Sequence, residues 1–135
     1  MPDIRAVTAE FAVAPQISPD DLVSIAASGF KRVISNRPDA EVPPQLSSAT
    51  MAAAAAAAGL DYVHIPIVGM PSPAQVETLF AAVEAADGPV LAYCRSGTRS
   101  ITAWAIGQAR HGDAAPQTLI ALGQDAGYDL SSVLG

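Results

Sequence analysis

The chain has one cysteine, seven basic residues and no apolar run long enough to cross a bilayer. Each shortage removes a class of protein. A single thiol, Cys94, cannot close an internal disulfide or find an internal resolving partner. It suits a reducing compartment, so a cytoplasmic location is expected. The stretch Ala52 to Ala58 is too short to span a membrane, and its flanks do not extend it. Met1-Pro2-Asp3-Ile4-Arg5 has no basic region followed by an apolar core, so no secretory leader is expected. A net charge of -6 argues against a nucleic-acid surface. Two histidines and one cysteine give no metal-site spacing, and neither a metal nor another cofactor is expected. With 135 residues and no internal repeat or linker, one domain over residues 1–135 is expected.

What is present concentrates in Tyr93-Cys94-Arg95-Ser96-Gly97-Thr98-Arg99-Ser100. The cysteine ends an apolar run, Pro89 to Tyr93, and a helical pattern begins near Ser100. A strand that stops at a cysteine and turns into a helix makes an anion cradle. Loop N–H groups point inward and the helix N-terminus adds partial positive charge. A thiol there is readily held as thiolate. A lone cysteine at the end of a core strand is ordinarily a small buried hydrophobe. An inert thiol, however, has no need of Arg-Ser-Gly-Thr-Arg around it. Gly97 permits a tight turn, Arg99 offers a forked donor to an oxyanion, and Ser100 could donate to the sulfur or cap the helix. Arg95 and Arg99 together make a local positive patch on an acidic chain.

The rest reads as alternating strand and helix. Strands are expected at Glu10–Ala14, Phe30–Ser35, within Leu60–Val68, and at Val90–Tyr93. Helices are expected from Ser18 to Gly29, Gln45 to Ala58, Ser72 to about Ala86, Ser100 to Arg110 and Pro116 to Ala126, with a short helical tail after Asp129. That order implies an α/β fold with a mainly parallel sheet flanked by helices. The site of such a sheet lies beyond the carboxyl ends of its strands. The cysteine loop, Asn36 to Glu41 and Pro66 to Ser72 should therefore share one rim.

Taken in order, Ser18-Pro19-Asp20-Asp21, Gly29-Phe30-Lys31-Arg32-Val33-Ile34, Asn36-Arg37-Pro38-Asp39, Tyr62-Val63-His64-Ile65-Pro66 and Cys94 to Ser100 resemble a known family. It is the phosphatase-like domain found alone or fused in the beta-lactamase-hydrolase-like proteins of bacteria, a family also labelled a sulfur transferase. The resemblance covers nearly the whole chain and implies the fold of the cysteine-dependent, dual-specificity phosphatases.

The loop departs from the phosphatase pattern of His-Cys, five residues, then Arg. Tyr93 precedes Cys94, four residues intervene before Arg99, and Ser100 stands where a phosphatase has its arginine. The spacing resembles that of rhodanese-type sulfurtransferases, and a shorter ring suits a persulfide sulfur. Dual-specificity phosphatases carry an aspartate general acid in the loop that here reads Pro66 to Ser72, which has no acid; Asp39 or Glu41 could substitute. Sulfane-sulfur transfer needs none, because the leaving group departs as an anion.

The leading expectation is thus a sulfurtransferase with Cys94 as nucleophile and persulfide carrier and Arg99 as catalytic partner. Arg95, Ser96, Gly97, Thr98, Ser100 and Arg37 would bind the substrate, a small anion such as thiosulfate, a persulfide or a phosphate-like group. The acceptor would be a thiol, with no nucleic-acid or membrane partner. The alternatives are a phosphatase working through a phosphocysteine, with Asp39 or Glu41 as acid, and a non-catalytic anion-binding module. Arg37 reaches substrate or loop, or else pairs with Asp39 or Glu41. His64 reads as a structural histidine, His111 as a favourable charge at a helix end, and Trp104 and Ile101 as core. Gly69 and Met70 would form an apolar lip.

Overall fold

The computed structural model describes residues 2–112 and 114–134. Met1, part of the leader reading, lies outside the described residues, as do Asp113 and Gly135 of the expected 1–135 domain. In chain order the elements are β1 (Arg5–Ala6), β2 (Phe11–Ala14), α1 (Asp21–Ala27), β3 (Arg32–Ser35), α2 (Ser48–Ala57), β4 (Asp61–His64), α3 (Pro73–Glu84), β5 (Val90–Tyr93), α4 (Thr98–His111), α5 (Pro116–Ala126) and α6 (Ser131–Leu134). The sheet order is β1-β2-β5-β3-β4. β2, β5, β3 and β4 run parallel, and β1 joins β2 antiparallel, with Arg5 opposite Val13.

Period-two alternation divides the core between the faces of the sheet. Phe11, Val13, Ile34, Val90 and Ala92 face one layer with Leu79, Ile101, Trp104 and Leu119. Ala12, Ala14, Val33, Leu91 and Tyr93 face the other, with Leu22, Ile25, Met51 and Ala55. Trp104 and Ile101 are core, and Trp104 stacks on Phe11 with ring centroids 5.1 Å apart. The alanines of α2 let that helix lie close to the sheet, where Met51 and Ala55 are fully buried. No helix among the described residues is long and apolar enough to cross a membrane.

Several boundaries differ from the sequence reading for local reasons. α2 starts at Ser48, not Gln45, because Pro43 and Pro44 direct the chain into a separate short 3-10 turn, Pro44–Leu46. Ser47 then caps the helix by accepting the Thr50 N–H. α1 begins at Asp21 after a turn in which Ser18 and Asp21 bond reciprocally, the Ser18 N–H to the Asp21 carboxylate at 2.9 Å and the Asp21 N–H to Ser18 Oγ at 3.3 Å. α4 begins at Thr98, two residues early, so Arg99 and Ser100 lie in its first turn and Ser100 does not cap it. The two-residue β1 has no apolar run to announce it.

Candidate active site

Strand register assembles the rim. Ala14 is opposite Tyr93, Tyr93 opposite Ser35, and Ser35 opposite His64, so four parallel strands end on one row. The Asn36 N–H donates to the Tyr93 carbonyl at 2.8 Å, its Nδ2 to the Ile65 carbonyl at 2.9 Å, and the Ile67 N–H to the Asn36 carbonyl at 3.0 Å. Asn36 thereby ties the residue before Cys94 to the loop after β4.

Cys94 is fully buried at the end of β5. Gly97 takes a left-handed conformation, φ +93°, as the N-cap of α4. A residue with a Cβ is strained there. The turn brings the Gly97 N–H back to Cys94 Sγ at 3.1 Å. Ser100 Oγ is buried without a hydrogen-bond partner among the described residues. Arg95 is exposed, and its carbonyl accepts the Gln16 N–H at 3.3 Å. Ser96 and Thr98 are exposed and share a hydroxyl–hydroxyl bond of 3.0 Å.

Arg99 is the junction of three loops. Its Nη1 donates to the Ile67 carbonyl at 2.7 Å and to Glu41 Oε2 at 3.0 Å, while Nη2 donates to Glu41 Oε1 at 2.7 Å. The Glu41 hydrogen bonds hold its guanidinium above the usual range, burial opposes them, and the neighbouring Cys94 sulfur adds to the rise. In return, hydrogen bonding from Arg99 holds the Glu41 carboxyl below the usual carboxylate range, helped by the charges of Arg99 and Arg37.

Arg37 does not reach the cysteine loop. Its Nη1 donates to Gln16 Oε1 at 3.1 Å and its Nη2 to the Glu41 carbonyl at 2.9 Å. Its Nε lies 3.5 Å from Glu41 Oε1, an ion pair without hydrogen-bond geometry. Of the two expectations for Arg37, these contacts match the pairing with Glu41.

The two substitute acids both have partners of their own. Asp39 accepts the Ser48 N–H at 2.8 Å and Ser48 Oγ at 2.7 Å, and these bonds lower its pKa. Glu41 is lowered by Arg99. Both sets of partners favour the ionised carboxylate over the protonated form that a general acid carries. His64 Nε2 sits 2.9 Å from the Arg37 carbonyl, as befits a structural histidine. His111 Nε2 lies 2.7 Å from Glu77 in the last turn of α4. Of the expected Gly69–Met70 lip, Met70 is 66% exposed, as is the neighbouring Val68 at 77%.

Asn36 sits on the rim expected from strand order, while two other contributors to the loop carry no sequence signal: Gln16, whose N–H donates to the Arg95 carbonyl, and Tyr128, whose hydroxyl donates to the Ser96 carbonyl at 2.9 Å. Gly127-Tyr128 reads in sequence only as a helix end.

A mostly parallel sheet with a cysteine and an arginine on the strand-to-helix turn beyond it has the fold of the cysteine-dependent phosphatases. The chain belongs to the phosphatase-like domain family of the beta-lactamase hydrolase-like proteins, whose sequence profile matches residues 3–111. A beta-lactamase hydrolase-like protein from Agrobacterium fabrum is 37% identical over 111 residues, which are 82% of this chain and 26% of that protein. One from Xylella fastidiosa is 31% identical over 125 residues, 92% of this chain and 29% of that protein. The chain thus spans less than a third of the length of these relatives. A proposed phosphatase from Neisseria meningitidis Z2491 superimposes with a TM-score of 0.84 at 31% identity, covering 98% of this chain and 94% of that one. These relatives agree with the phosphatase alternative rather than with the leading sulfurtransferase expectation.

The Glu41–Arg99 pair implies competition with any anion that Arg99 receives. Replacing Glu41 by Gln should tighten inorganic phosphate binding by a factor of about two to five, the range of a partly exposed ion pair. Isothermal titration would read it, and an unchanged affinity would show that Glu41 does not compete. Because the folded pKa of Glu41 is depressed, the pair's contribution to stability is full above the unfolded value and fades as pH falls through the folded one. The Gln variant should lack that part of the acid-side loss of Tm.

Proposed function

We propose that residues 1–135 form one catalytic domain in which Cys94 attacks a small tetrahedral oxyanion, acting as a phosphatase on esters whose leaving group departs without a proton. The observation that carries this reading is the Gly97 N–H directed at Cys94 Sγ, with Arg99 in the next turn beside it. The family and the Neisseria neighbour support a phosphate-like substrate. A Pseudomonas aeruginosa protein of the same fold, TpbA, at 15% identity and a TM-score of 0.65, holds phosphotyrosine in its crystal structure. An aryl phosphate is accordingly the class proposed here.

In the first step the thiolate attacks phosphorus, an S–P bond forms and the P–O bond breaks. The leaving phenolate carries away the electron pair and takes its proton from water. Water then attacks the phosphocysteine, releasing inorganic phosphate and restoring the thiol. The Arg99 guanidinium would neutralise the equatorial oxygens, and the loop amides would donate to them. With Asp39 and Glu41 both held ionised, rates should fall steeply as the leaving phenol becomes less acidic.

Sulfur transfer is the second reading, favoured by the four-residue spacing from Cys94 to Arg99 and by the same missing acid. There the thiolate attacks the outer sulfur of thiosulfate and an S–S bond forms. Sulfite leaves with the electron pair of the broken bond, and an acceptor thiolate later removes the outer sulfur.

One experiment separates the two. The non-reduced protein is incubated with thiosulfate and weighed intact, and a parallel sample is assayed on a series of aryl phosphates. Cys94-dependent phosphate release without a mass gain is the expected result. A gain of about 32 Da that cyanide removes, with no phosphate release, would replace phosphoryl by sulfur transfer. Neither signal would leave an anion-binding module.

A further inference from the structure

We infer that Tyr128 is a positioning residue for Cys94, acting through the single peptide unit that joins Ser96 to Gly97. The inference rests on the reading of Cys94 as nucleophile. The carbonyl of Ser96 and the N–H of Gly97 are the two ends of that unit. The Tyr128 hydroxyl donates to the carbonyl end at 2.9 Å, and the N–H end donates to Cys94 Sγ at 3.1 Å. In a planar trans peptide these ends point in opposite directions. Fixing the carbonyl outward therefore fixes the N–H inward. A hydrogen bond accepted at the oxygen also polarises the amide and strengthens its donation to sulfur. If the peptide turned over, the loop would present a carbonyl oxygen to the thiolate and its anion, which is repulsive.

The tyrosine is itself held in place. Gly127 ends α5 in a left-handed turn, φ +94°, and the Tyr128 N–H then returns to the Gly123 carbonyl at 2.8 Å. Arg5 donates to the Ala126 carbonyl at 3.1 Å and places its guanidinium 5.8 Å from the centre of the Tyr128 ring. Burial pushes the Tyr128 hydroxyl above its ordinary pKa despite the Arg5 charge, and the Cys94 sulfur adds to the rise, so the phenol keeps the proton it donates. The fit also leaves no room at the other end: a Cβ on Gly97 would strike Tyr128 Oη. Tyr128 lies outside residues 3–111 matched by the family profile, on the segment between α5 and α6.

The test uses the full chain as wild type, Tyr128→Phe and Cys94→Ser. Iodoacetamide alkylation is followed by intact mass from pH 5 to 9, and Tm is recorded for each protein. Tyr128→Phe keeps the ring and its packing and loses only the hydroxyl. We expect its alkylation profile to move to higher pH, with the rate at the acidic end about three- to ten-fold below wild type and the alkaline plateau unchanged. A profile that superimposes on wild type overturns the inference, including the case in which Tm falls, since that would mark a purely structural hydroxyl. If the wild-type thiol stays unreactive throughout the acidic range while Tyr128 is intact, the nucleophile reading fails and takes this inference with it.

Discussion

Cys94→Ser should lose turnover by at least roughly 10³-fold on whichever substrate proves active, because a serine hydroxyl in this cradle has no base to activate it. No histidine approaches the loop to take that role: His64 is bonded to the Arg37 carbonyl and His111 to Glu77. The fold should tolerate the change. Serine is close to cysteine in volume, and the Gly97 N–H that now meets Sγ can donate to Oγ instead. Tm should therefore stay within a few degrees, and phosphate affinity should be retained, since the donors proposed for the anion are backbone amides and Arg99. The measurements are turnover, thermal melting and phosphate titration on one preparation. Residual turnover within tenfold of wild type would remove Cys94 from the chemistry. Loss of phosphate binding together with turnover would mean that the substitution had deformed the loop.

Gly97→Ala is the second large effect, and it acts on shape rather than on a reacting atom. At φ +93° an alanine costs about 1–3 kcal/mol of stability from backbone strain alone. Its Cβ also meets Tyr128 Oη and lies 3.0 Å from Tyr128 Cζ. To escape both, the peptide before it must turn, which withdraws the Gly97 N–H from the sulfur. We expect activity to fall at least about a hundredfold, in line with the loss of a preorganised backbone donor. The double variant Gly97→Ala/Tyr128→Phe removes the hydroxyl collision but not the positive φ, so it should recover stability only in part and little activity. A single variant with wild-type Tm and turnover would show that the loop accepts other shapes. Hydrogen exchange at the α4 N-terminus would report the rearrangement directly.

Much of this was legible in the sequence where the signal is local. Val90–Tyr93 and Pro116–Ala126 fall on their expected bounds because an apolar run behind Gly88-Pro89, and a Pro start with a Gly stop, are each complete within one stretch. The shared rim followed from strand order alone. The start of α4 was misplaced because Gly97 caps it by backbone conformation, without the side-chain bond that marks most helix starts. The partners of the site were harder still. Glu41 is 58 residues from Arg99, and Tyr128 is 32 residues from Ser96. No periodicity or spacing encodes a contact between side chains that only tertiary packing brings together. Strand order places Asp39 and Glu41 near the rim, but nothing local in the sequence encodes Ser48 and Arg99 as the groups that hold them.

The carboxylate on Arg99 has one more consequence. Glu41 is a tethered ligand, and a group on a short tether competes with free ligands at an effective concentration on the order of millimolar. A weakly held monoanion at lower concentration leaves the guanidinium with Glu41. A dianion that also engages the loop amides should displace it, and the displaced carboxylate should return once the anion has left. On the proposed function, Glu41 would act as a resident competitor that sets a threshold for entry and hastens the exit of the spent anion.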